Sequence, residues 1–146
     1  MNTEIFIIKS LYVQNAIMLA FLGITVSFLI YSIFKRKPKH IAAFTIWVFL
    51  VLWFFNSPFF GFSVVTVGSQ GIKLDYGILS IRNDVLPLDS EWKIETYMSG
   101  IRKNKRLYFI SIVDRQSMKV RGVKDLRLLE KIGESIERVK AKRFKE

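Results

Sequence analysis

Cysteine is absent from the 146 residues, and histidine occurs once. Without thiols the chain forms no disulfide, no thiolate nucleophile and no cysteine-based zinc or iron–sulfur centre. The one histidine, His40, stands beside Ile41 at the edge of an apolar run, with no acidic residue near it in sequence. A Ser-His-Asp arrangement would have to use this same side chain, and a metal site needs ligands that its neighbours do not offer. His40 therefore reads as a boundary residue. No catalytic residue, metal or cofactor is expected, and the chain reads as a non-enzyme.

Charge is also missing, and its absence is local. No Asp, Glu, Lys or Arg occurs from Ser10 to Phe34, a run of 25 residues, or from Ile41 to Ile72, a run of 32. About 20 apolar residues at helical rise cross the hydrocarbon layer of a bilayer. From Ala16 to Phe34 the only polar residues are Thr25, Ser27 and Ser32, and they form no stripe, which speaks against a buried soluble helix. A cleavable leader is excluded too, because the residues before the run carry no net positive charge and a second apolar run follows. In the second run Pro38 suits a first helical turn, and Asn56-Ser57-Pro58 reads as the helix end. Trp47, Trp53 and a cluster of Phe residues thicken toward that end, as in an aromatic belt. Residues 1–61 are thus expected to form a two-helix transmembrane hairpin, with spans at about 11–34 and 38–57, and residues 62–146 a soluble domain. Ala16, Ala20, Gly23, Ala42 and Ala43 offer small surfaces for close approach of the two helices.

The formal net charge is +11, of which +4 lies in the connector at Lys35, Arg36, Lys37 and Lys39. The flanks on the other side offer only Lys9 and Lys73. Lys and Arg near span ends stay in the cytoplasm, whereas a long domain crosses largely regardless of its charge. The count therefore places the connector inside the cell and both termini, with the soluble domain, outside.

From Phe62 the pattern changes to alternation. Ser63–Val67, Ile72–Tyr76, Leu79–Arg82, Trp92–Met98, Leu107–Val113 and Ser117–Arg121 read as strands with one apolar face. Tyr76-Gly77, Arg82-Asn83-Asp84 and Asp114-Arg115-Gln116 carry turn chemistry. Beyond them Leu126, Leu129, Ile132, Ile136 and Val139 fall on one helix face, with Asp125 as the expected N-cap. The fold class is then α+β: six or seven short antiparallel strands and one amphipathic helix behind the hairpin.

Two stretches of this domain resemble the bacterial PH-like domain family. One is Gly71-Ile72 with Tyr76-Gly77-Ile78-Leu79-Ser80-Ile81-Arg82 and the step Val85-Leu86-Pro87-Leu88; the other is Val120-Arg121-Gly122-Val123-Lys124-Asp125 with Leu128, Leu129 and Ile132. The resemblance covers roughly Phe62 to Phe144, and many family members carry such a domain behind a two-helix hairpin. It implies a bent seven-strand antiparallel barrel capped by one C-terminal helix, used for binding and scaffolding. It also implies a cytoplasmic domain, against the charge count.

Candidate binding residues are few. Arg102, Lys103, Lys105 and Arg106 crowd one inter-strand loop, and each cation near an anionic bilayer contributes about 1 kcal/mol. A solvated turn explains the same cluster. No aromatic residues interleave with these charges, so no nucleic acid partner is expected. Gly68-Ser69-Gln70-Gly71 lacks the following helix of a phosphate cradle and reads as a turn. Asp84, Asp89, Glu91 and Glu95 are scattered over turns and one strand face, which suits solvated surface better than a carboxylate pair. The expected function is a membrane-anchored binding module contacting membrane lipids and a membrane-protein partner or a second copy. The alternatives are a lipid-headgroup sensor using the basic loop and, more remotely, a small membrane enzyme.

Overall fold

A computed structural model describes residues 3–100 and 105–143. The two charge-free runs form α1 (Leu11–Phe34) and α2 (Pro38–Phe55), an antiparallel hairpin. At helical rise these are about 36 and 27 Å long. Both are long and apolar enough to cross a membrane, and only 11% and 6% of their most apolar windows are buried within the chain. A soluble core helix would hide that surface. The hydroxyls of Thr25, Ser27, Ser32 and Thr45 each donate to the carbonyl four residues back, at 2.8–2.9 Å. Such pairing leaves few polar groups to meet an apolar surrounding. Between the helices Phe28 stacks on Phe44 with ring centroids 5.5 Å apart. Gly23 does not serve this contact: a Cβ placed there meets nothing within 4 Å.

A strand that the sequence pattern does not announce precedes the hairpin. β1 (Glu4–Ile7) pairs antiparallel with β2 (Val64–Gly68), Glu4 opposite Val67 and Ile7 opposite Val64. β3 (Gly71–Asp75) and β4 (Asp84–Leu86) complete a four-stranded sheet in the order β1-β2-β3-β4. The sheet is thus built from both flanks of the hairpin. β5 (Trp92–Ser99), β6 (Lys105–Ile112) and β7 (Arg115–Gln116) form a second, three-stranded sheet. α3 (Val123–Arg143) packs against both.

Val65, Val67, Ile72, Leu74, Ile110 and Ile112 from the sheets meet Leu129, Ile132 and Ile136 from α3 in one buried core. Leu126, expected in that core, is only half-buried. Gly133 lets the helix approach Trp92 so closely that a Cβ there would overlap the indole ring. The same indole N–H donates to Glu137 Oε1 at 3.1 Å. β1 is tied to α3 by Glu4, which accepts from Ser135 Oγ at 2.6 Å and pairs with Arg138 at 3.2 Å.

Several sequence expectations shift. Among the described residues the sheets close into no barrel; they remain two separate sheets of four and three strands. Leu79–Arg82 is a run of turns rather than a strand, because side chains from the hairpin take up the amides of Ile81 and of the preceding Ile78. The β6–β7 turn is Val113-Asp114, one residue earlier than expected, and Val113 takes a φ of 56°. Two-residue hairpin loops need positive φ, which a β-branched residue adopts only under strain. Ser117–Arg121 keeps only isolated bridges, at Ser117 and Val120. α3 starts at Val123, so Asp125 lies in its first turn and is not the cap. α2 ends at Phe55, two residues before the estimated end of the second span.

Candidate functional site at the hairpin junction

Polar side chains concentrate where the hairpin meets the sheets. Gln14, in the first turn of α1, is 5% exposed. Its Nε2 donates to the Tyr76 carbonyl at 2.6 Å, and its Oε1 accepts from Ser63 Oγ. Asn15 Oδ1 accepts from the Ile78 amide at 2.9 Å. From the other helix, Asn56 accepts from the Ile81 amide at 2.8 Å and donates to the Leu79 carbonyl at 3.2 Å. A carboxamide offers a donor and an acceptor together, so Asn15 and Asn56 stand in for a strand neighbour along residues 77–82, and Gln14 does so at Tyr76. Gly77, at φ 110°, allows the approach: a Cβ there would stand 2.9 Å from Asn15 Oδ1 and 3.0 Å from Met18 Sδ.

Arg82 closes the junction. Its Nη1 donates to the carbonyls of Ser57 at 2.7 Å and Phe60 at 3.1 Å, just past the end of α2. No basic residue stands in the last turn of α2, so this distant guanidinium supplies the cation that a helix C-terminus favours. It also lies 4.4 Å from the centroid of the Tyr76 ring. Arg115 donates to the Arg82 carbonyl at 3.3 Å and pairs with Asp84 at 2.8 Å.

Tyr76 is fully buried, edge-on to Phe62, and its hydroxyl has no hydrogen-bond partner among the described residues. Burial pushes its phenol above the ordinary 10.0, and the guanidiniums of Arg82 and Arg115 oppose that shift. A raised folded-state value means that the unfolded chain loses this proton first. Stability is therefore indifferent to this group below about pH 10 and falls as pH rises beyond it. Tyr76→Phe should remove that alkaline slope in thermal melts while keeping neutral-pH stability within about 1 kcal/mol, since no hydrogen bond is lost. A slope that persists in the variant would assign it to other groups.

Beside the junction lies an open cleft of about 530 Å³, bordered by Pro58, Gly61, Tyr97, Phe109, Ser117 and Lys119. Lys119 Nζ sits 3.7 Å from the centroid of the Tyr97 ring. Of the expected basic loop, Arg102 and Lys103 lie outside the described residues. Lys105 and Arg106 open β6, exposed, opposite Ser99 and Met98. Lys35, Arg36, Lys37 and Lys39 are exposed at the far end of the hairpin from the sheets. His40 is exposed near the start of α2, and no group of three or more metal-ligating side chains occurs among the described residues. Sequence reasoning missed Gln14 and Asn15; their signal was a pair of carboxamides at the mouth of an apolar run. Comparison of the chain with family models, with curated proteins and with solved structures found no match.

Proposed function

We propose that this chain is a two-pass membrane protein whose soluble domain is a non-enzymatic binding and scaffolding module, held at a fixed angle to the bilayer for a membrane-protein partner. The observation that carries it is the junction: Gln14, Asn15 and Asn56 bind the 76–82 segment to both helices at one level, and Arg82 of that segment binds the chain just past α2. A freely swinging anchor needs no such clamp. Phe59, Ile78 and Ile81 at this level are 86%, 63% and 89% exposed. Large apolar side chains left uncovered beside two apolar helices suit the headgroup boundary of a bilayer. Sheets of four and three strands followed by a helix, with the Gly77–Arg82 motif at the junction, support a PH-like domain whose first strand precedes the hairpin.

The connector charges favour a cytoplasmic connector and an external domain. The exposed side of β5 at Tyr97, on the rim of the cleft rather than inside it, is the surface offered to the partner. A photo-crosslinking side chain at Tyr97, in cells, should give one discrete adduct with another membrane protein, and the same side chain at exposed Lys131 should not. Equal labelling from both positions, or none from Tyr97, would overturn the scaffold.

A further inference from the structure

Three cavities at the junction are linked in series by shared lining residues. The deepest, about 410 Å³, lies between α1 and α2 and is lined only by apolar and aromatic side chains, among them Ile17, Phe21, Trp47, Leu50 and Phe60. The middle one, about 320 Å³, shares Ile17 and Phe60 with it and adds Lys9, Ser10 and Gln14. The third is the cleft already described; it shares Met118 with the middle cavity and adds Gln116, Ser117 and Lys119. The lining thus runs from wholly apolar to polar and cationic. Among the described residues no acidic side chain borders any of the three.

The depth follows from helix geometry. Phe21 lies ten residues into α1, and Trp47 lies eight residues before the end of α2. At helical rise the apolar cavity therefore reaches about 12–15 Å below the junction. A partner helix could fill it but would have no use for the two lysines. A soluble anion could use the lysines but would leave the apolar cavity empty. An amphiphile with a negative head matches both ends.

We propose that this groove holds one anionic phospholipid of the domain-side leaflet, with its headgroup in the cavities bordered by Lys9 and Lys119 and an acyl chain between α1 and α2. The proposal rests on the membrane reading of the hairpin. It places lipid recognition at the junction rather than on the loop containing Arg102 and Lys103.

Native mass spectrometry of the full chain in mild detergent tests it, with phosphatidylglycerol and phosphatidylcholine as probes. One phosphatidylglycerol should be retained in preference to phosphatidylcholine. Lys9→Gln with Lys119→Gln should lower that retention about thirtyfold, given the contribution of each of the two cations near an anionic headgroup. Leu50→Trp, which fills the apolar cavity, should displace both lipids. Lys73→Gln with Lys131→Gln, on exposed positions away from the groove, should change nothing. Equal retention of the two lipids, insensitivity to the lysine pair, or a second protein copy in place of lipid would overturn the proposal. Carbonate extraction of native membranes separates the two levels. A chain released by carbonate removes the membrane reading itself, whereas an integral chain without preferential retention removes the groove alone.

Discussion

Ile132→Asp unfolds the soluble domain. Ile132 is fully buried, in the α3 face that meets both sheets. A carboxylate there has no cation among its core neighbours and leaves water without compensation. The expected loss is at least about 4 kcal/mol, enough to remove most of the stability of a domain this size. Circular dichroism of the full chain in detergent should lose its strand signal while the hairpin helices persist, and limited proteolysis should cut throughout residues 62–143. A variant as protease-resistant as the wild type would show that α3 does not close the core.

Gly61→Val separates the linker from the second sheet. After α2 the chain passes beside β7 and Ser117: the Phe62 amide donates to the Gln116 carbonyl at 3.1 Å, and the Met118 amide to the Phe62 carbonyl at 2.8 Å. A Cβ at Gly61 would overlap the Ser117 carbonyl and the Met118 amide, which are backbone and have no rotamer to change. The expected cost is about 3 kcal/mol, the upper range for overpacking. Hydrogen exchange should report it locally, with the Phe62 and Met118 amides losing protection while β3 keeps its own. Unchanged protection at both amides would mean that the linker has room that the structure does not show.

The parts legible in the sequence are those set by local pattern. The charge-free runs specify α1 and α2, because nothing but an apolar surrounding accommodates such segments. The three-and-four spacing of Leu129, Ile132 and Ile136 specifies α3 and its buried face. Alternation locates β3, β5 and β6 to within a residue or two. β1 was not legible: four residues are too few for a periodic signal, and Glu4 looks like a strand breaker until Ser135 and Arg138, more than 130 residues away, receive it. Leu79–Arg82 misled for the opposite reason. Its alternation is real, but Asn15 and Asn56 take the amides of Ile78 and Ile81 that a neighbouring strand would have used. Arg82 carried a family resemblance in the sequence, yet its contacts with Ser57 and Phe60 belong to tertiary structure alone. The junction was invisible because its members come from three separated stretches, each ordinary by itself.

The natural absence of cysteine makes one measurement direct. Single cysteines at Lys37, in the connector, and at Lys131, on the exposed side of α3, can be probed in intact cells with a membrane-impermeant maleimide, before and after permeabilisation. The account predicts labelling at position 131 in intact cells and at position 37 only after permeabilisation. The reverse pattern would contradict the proposed sidedness, and equal labelling of both positions before permeabilisation would contradict a hairpin that crosses the membrane.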